Sequence, residues 1–250
     1  MNIYNIKKSA RESLKGNWGQ AVLCCLIFFF ISTGLPYIGK FKSGAFSFLL
    51  TIAFYVLLGP LNAGLNYFFL KLSRKEAVYL EDLFYPFKNF LRYFLSHLLT
   101  SIFSFLWSIP AAIVTFLAIG AFLASSFNPY DSFYSFESAN YINENFISNL
   151  ILLFIILIVI GVCLQIFLNR YALSHFILLD NPLLGSYDAI EESVTMMKGY
   201  KLKLFLLNLS FIGWGLLCIL TLGIGLLWLL PYIYASIASF YDEIKKTYDY

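Results

Sequence analysis

Charge is what this chain has least of. Asp, Glu, Lys and Arg together make up 12% of its 250 residues, against about 25% in an ordinary soluble domain. Hydrophobic residues make up 60%. A soluble fold cannot hide that much Phe, Leu and Ile, because its surface has to be wetted. The shortage of charge therefore excludes a water-soluble globule before any motif is considered.

The shortage is also local. Residues 16–39, 43–70, 93–130, 145–169 and 204–241 contain no Asp, Glu, Lys or Arg at all. About 20 apolar residues cross the hydrocarbon core at 1.5 Å per residue. The last window is long enough for two crossings, with Thr221–Gly225 as a tight turn between them. The fold class expected is all-α: a polytopic membrane protein with six transmembrane helices at 18–36, 44–70, 93–125, 147–173, 202–221 and 224–241. All of residues 1–250 then form one integral membrane domain. The first apolar run follows a basic start, as a signal peptide does, but it is too long for one and further spans follow. Pro110 interrupts the third window, where one tilted helix with a proline kink is expected.

Cysteine is scarce as well. Cys24, Cys25, Cys163 and Cys218 all lie in apolar windows and form no C-x-x-C pair. Neither a disulfide framework nor a thiolate metal site is expected. There are two histidines, His97 and His175, and no H-E-x-x-H motif. A phosphate-binding loop is missing, as are the G-x-S-G and G-x-G-D patterns of intramembrane proteases. Glu191–Glu192 lacks the following Arg that paired-glutamate membrane proteases carry. No enzyme activity, cofactor, metal or nucleic-acid partner is expected. No ionisable residue lies well inside a span, which argues against ion-coupled transport, although backbone carbonyls can bind Na⁺.

The charges that are present are placed unevenly. With six spans, every Lys and Arg except Lys40 and Lys42 falls on one side. That side is the cytosol by the positive-inside rule. Both termini are cytosolic on this reading. The loop 126–146, with Asp131, Glu137 and Glu144 and no basic residue, lies outside.

Amphipathic segments precede three of the spans. Ile3, Ile6, Ala10 and Leu14 share one helical face ahead of the first. Leu80, Leu83, Phe84, Phe87 and Leu91 precede the third, with Pro86 expected to start that helix. Tyr187, Ile190, Val194 and Met197 precede the fifth, with Ser186 as the expected N-cap. Each segment can lie in the cytosolic interface and end on cations that reach phosphate headgroups. The expected headgroup ligands are Lys15, Arg92, Arg170, Lys198, Lys201 and Lys203, and the expected partner is membrane lipid, anionic in charge. A membrane-protein partner or a second copy of the chain is the other open possibility. The pattern of segment, cation, span and return span occurs three times, as a repeat or by convergence.

Neutral polar residues form stripes within the spans. Asn62, Asn66, His97, Ser104, Gln165, Asn169 and Asn208 are the expected polar interior seam. They serve either as interhelical hydrogen-bonding groups or as the lining of a hydrated groove. Gly59–Pro60 and Gly64 mark a kink and a close helix contact.

Three stretches, "IKKSARESLKGNWGQAVL", "LGPLNAGLNYFFLKLSRKE" with "LEDLFYPFKNF", and "LLDNPLLGSYDAIEESVTMMKGYKLKLFLLNLSFIGWGLL", carry a resemblance. They resemble the bacterial membrane-protein family catalogued as domain of unknown function 975. The last stretch is also similar to the membrane domain fused to some glycerophosphodiester phosphodiesterases, without their catalytic domain. The resemblance implies a bacterial cell membrane and a helical topology, with no settled activity. Two departures stand out: Tyr85–Pro86 occupy positions where the family has Gly, and a long apolar stretch follows Pro110 in place of a short turn. The function expected is a non-enzymatic membrane component that engages lipid or a membrane partner in envelope maintenance or stress. The alternative is a carrier or exporter of an amphiphilic molecule, including peptide immunity.

Overall fold

A computed structural model describes residues 2–34, 45–126 and 144–248. Most of the acidic loop 126–146 and the segment bearing Lys40 and Lys42 lie outside the described residues. Every element among the described residues is helical. They form two compact units, one of residues 1–101 with 169–250 and the other of residues 102–168.

The first unit opens with α1, Ile3–Leu14. The Asn2 side chain caps it by accepting the Tyr4 N–H at 3.0 Å, which satisfies one of the orphan donors of the first turn. Ile6, Ala10 and Leu14 recur every four residues and are fully buried. Gly16, at φ +91°, takes the left-handed conformation that side chains disfavour. The chain there bends by 98° into α2, Trp18–Phe29, which continues as one π-helical stretch, Phe30–Gly34.

Helix α3, Ala45–Ser73, divides into two environments. Phe48, Leu49, Ile52 and Tyr55 are exposed, whereas Leu61, Ala63, Leu65, Phe68, Phe69 and Leu72 are buried. The buried half holds a 3-10 helix, Leu80–Asn89, against its side. Lys71 pairs with Asp82 at 2.9 Å, and Asp82 accepts the Tyr79 N–H at 2.8 Å. One carboxylate thus both caps the 3-10 helix and fixes it to α3. Pro86 lies inside that 3-10 segment and the following α-helix begins at Phe90, so Pro86 does not start it. A proline has no N–H to give, and the residue before it is steered away from the α region.

Helix α4, Phe90–Ser126, is one helix of 37 residues with Pro110 inside it. Helix α5, Glu144–Leu168, follows. In the second unit these two run antiparallel, as the ring pairs Trp107–Phe167 at 4.7 Å and Phe122–Phe146 at 5.7 Å show. Phe105, Phe116, Leu117, Phe154 and Ile155 stay exposed, a surface suited to lipid rather than water.

The remaining helices complete the first unit: α6 Ser174–Asp180, α7 Ser186–Met196, α8 Lys201–Leu209, α9 Ile212–Leu220 and α10 Leu226–Tyr248. Helix α10 is the hub, with α1, α2 and α3 packed around it. Its Ala235, Ser236, Ala238 and Ser239 are buried, and such small side chains let neighbouring helices approach closely. In α7 the buried face is Ala189, Ile190, Ser193 and Met196, packed against the protein, and Tyr187 is exposed. Its N-cap is Gly185, because the Ser186 hydroxyl donates instead to the Arg92 carbonyl at 2.8 Å.

Four helical stretches among the described residues, Ser47–Ser73, Leu80–Ser125, Phe146–Asp180 and Lys201–Leu220, are long and apolar enough to cross a membrane. A fifth exists if Ile3–Leu14 and Trp18–Thr33 count as one bent stretch.

Candidate functional site

The cations expected at headgroups have varied surroundings. Arg92 is partly engaged by the protein: its Nε donates to the Leu184 carbonyl at 3.0 Å and its Nη2 to the Asn181 carbonyl. It clamps the loop ahead of α7. Arg170 lies over the Tyr171 ring, and its carbonyl accepts the Ser193 hydroxyl at 2.9 Å. Lys203 lies over the Tyr200 ring at 4.9 Å. The Lys201 carbonyl accepts the Asn169 amide at 3.2 Å. Lys15 and Lys198 are exposed.

The expected polar seam is distributed over both units. Ser104 and Gln165 belong to the second, the others to the first. The Asn62 amide donates to Leu58 in its own helix at 2.8 Å, so it supports the backbone next to Pro60 rather than a neighbouring helix. Asn66 and Asn208 are half-buried. His97 meets Tyr55 at 5.4 Å and His175 at 6.3 Å, ring to ring.

A second ionic cluster ties distant parts of the first unit together. Arg74 makes two hydrogen bonds to Asp180, both 2.8 Å, and reaches Asp242 at 2.9 Å. Lys245 and the Tyr241 hydroxyl also donate to Asp180, at 2.7 and 2.9 Å. The Asp180 hydrogen bonds, with the Asp242 charge, hold the Arg74 guanidinium above its usual range. This cluster is internally satisfied, as a structural clasp should be.

The site open to a ligand lies elsewhere, between α1, α9 and α10. It is a groove of about 570 Å³, within the range of small-molecule sites, roughly 300–1,000 Å³. Trp18, Trp214, Trp228 and Tyr232 form its aromatic walls, and Leu217, Cys218 and Leu229 add aliphatic and thiol surface. Thr221 and Gly225 lie at the end where α9 turns into α10. The Thr221 hydroxyl oxygen accepts the Gly225 N–H at 3.1 Å and so closes that turn.

Two cations, Lys7 and Arg11, line the same groove, and among the described residues no Asp or Glu does. They stand one helical turn apart on α1, where like charges repel. The Lys7 ammonium donates to the Ser210 carbonyl at 3.2 Å and sits over the Phe211 ring at 4.1 Å. Burial, and then the Arg11 charge, push it below its ordinary pKa. The Arg11 side chain makes no hydrogen bond or ion pair among the described residues. Sequence reasoning counted both residues as cytosolic charge and missed them as a site. The signal was present in the i, i+4 spacing of Lys7 and Arg11 and the nearby Trp18, but Trp214 and Trp228, which complete the groove, lie some 200 positions away.

A family model described as protein of unknown function (DUF975) matches residues 1–248. The chain belongs to that family. No curated protein and no solved structure matches this DUF975 chain. Membership therefore supplies no ligand, and the groove has to be read from its own chemistry: apolar along its length, aromatic at its walls, and doubly cationic at one side.

Proposed function

We propose that this protein is a multi-pass, non-enzymatic component of the bacterial cell membrane that holds an anionic amphiphile in the α1/α9/α10 groove. One observation carries the reading: two cations and no carboxylate border an aromatic groove large enough for an acyl chain. Aromatic and aliphatic walls favour the chain, and Lys7 and Arg11 favour an anionic head. A role in envelope maintenance or stress follows from such binding.

The same geometry bears on topology. The sequence reading of six crossings needs residues 202–221, which form α8 and α9, and residues 224–241 of α10 to traverse the whole hydrocarbon layer. Lys7 meets Ser210 on one side of the α9–α10 hairpin and lines the groove beside Tyr232 on the other. The hairpin tip at Leu222 is twelve residues from Ser210, at most about 18 Å of helix, and the hydrocarbon is about 30 Å thick. With the α1 cations at headgroup level, the hairpin dips in from the cytosolic side and returns. Helices α2, α3, α4 and α5 then supply the crossings. Both termini stay cytosolic, and the charge asymmetry is unchanged.

Native mass spectrometry of the protein extracted in a mild detergent tests the binding. The wild type retains anionic lipid, and the K7Q/R11Q double variant loses it. A K198Q/K201Q/K203Q variant keeps it. Loss in the triple variant with retention in the double variant would overturn the reading.

A further inference from the structure

We infer that the groove selects a lipid phosphomonoester, whose terminal phosphate carries two negative charges, over a phosphodiester lipid, which carries one. The inference rests on the amphiphile reading above and adds the head chemistry to it.

The groove carries two positive groups with no internal counter-charge. Lys7 uses one of its three N–H donors on Ser210, which leaves two. Arg11 leaves its whole fork free among the described residues. A guanidinium fork matches two phosphate oxygens, and an ammonium matches a third as a point charge. A diester offers two unsubstituted oxygens sharing one charge, so one of the two cations stays uncompensated. A monoester offers three oxygens and nearly two charges, which suits both cations at once. Trp18, Trp214, Trp228 and Tyr232 line the groove, an aromatic surface that suits the acyl chain rather than the charged head. Nothing acidic lines the groove to welcome the ammonium of a zwitterionic lipid.

The second ionisation of a phosphomonoester falls near pH 6. Above it the head is a dianion, and below it the head has the single charge of a diester. Selectivity for the monoester is therefore present at neutral pH and lost as the pH falls through that ionisation.

Three of the four tryptophans line the groove and the fourth, Trp107, does not. A Trp107→Phe variant, excited at the red edge where tyrosine does not absorb, thus confines the tryptophan fluorescence to the site. The full-length variant in detergent is titrated with four probes: short-chain phosphatidic acid, phosphatidylglycerol and phosphatidylcholine with matched chains, and glycerol 3-phosphate. Phosphatidic acid is expected to bind about tenfold tighter than phosphatidylglycerol at about pH 7.5, the factor one added charge-assisted hydrogen bond supplies. The two converge at about pH 5.5, where the monoester holds one charge. Phosphatidylcholine binds more weakly than either anion, and glycerol 3-phosphate leaves the fluorescence unchanged. Arg11→Gln brings phosphatidic acid down to the phosphatidylglycerol level while phosphatidylglycerol changes less. Equal binding of the two anionic lipids at about pH 7.5 overturns the monoester inference and leaves lipid binding intact. Binding of glycerol 3-phosphate as tight as phosphatidic acid overturns the lipid source. No fluorescence change with any lipid overturns the amphiphile reading itself.

Discussion

At residue 64 there is room for a hydrogen atom and nothing larger. A Cβ built there would lie 1.8 Å from the Leu83 carbonyl oxygen, so the obstacle is backbone and cannot rotate away. The contact lets the 3-10 helix press against α3. Gly64→Ala is expected to destabilise the protein by about 3 kcal/mol, the upper range for overpacking a filled site. Gly19→Ala, with open space around its Cβ, serves as the neutral control in thermal unfolding followed in detergent. An unchanged midpoint for Gly64→Ala would refute the close packing. Gly64 reads as a close contact from the sequence because small residues in an apolar helix let a neighbour approach. The sequence could not name Leu83, since nothing in a helical period says that a neighbouring segment will be 3-10. Arg92 teaches the converse. Its position beside a span suggests a headgroup ligand, and the carbonyls of Asn181 and Leu184 take two of its five N–H donors. Unpaired backbone acceptors in a loop ninety positions away leave no mark in the local pattern.

Helical elements were the most legible part, because charge-free windows and the 3.6-residue period are local properties. The single helix through Pro110 and the apolar face Ile6–Ala10–Leu14 both follow from such patterns. Depth is not a local property. The α9–α10 hairpin is as apolar as a spanning pair, and Leu220 and Leu222 at its tip are 80% and 93% exposed, as lipid contact requires. Only its contact with Lys7 shows how far from the α1 cations that tip can extend. A cysteine at Leu222, in a variant with the four native cysteines replaced by alanine, is expected to resist a membrane-impermeant maleimide added outside intact cells. It should react once detergent dissolves the bilayer. Labelling from outside without detergent would overturn the re-entrant hairpin proposed above and favour the full crossing and the count of six. The three amphipathic segments were likewise legible as patterns, but not their partners: α7 turns its apolar face onto the protein.

For the whole molecule, the long-range ionic clasp matters most. Arg74 follows α3, Asp180 ends α6, and Asp242 and Lys245 lie on α10, so one cluster joins three parts of the chain. Asp180 is 7% exposed at its side chain and Arg74 32%, which puts the pairing between a surface bridge and a buried one. Asp180→Asn is expected to cost about 1–2 kcal/mol, discounted for that exposure, and to lower the unfolding midpoint. Raising ionic strength should narrow the gap from wild type, since salt screens the partly exposed partner. A variant as stable as wild type at low salt would show the clasp to be ornamental. The sequence displayed each of these charges as ordinary cytosolic residues. Their convergence depends on tertiary packing that periodicity does not encode.

Helices α1 and α10 lie against each other although they stand at opposite ends of the sequence. The ribosome makes the first long before the last. Until α10 emerges, Ile6, Ala10 and Leu14 have no complete cover, and a nascent chain waits with that stripe open to chaperones and proteases. Synthesis of α10 is therefore what completes the cover over that stripe, and a polypeptide cut short before residue 226 is expected to be less resistant to proteolysis.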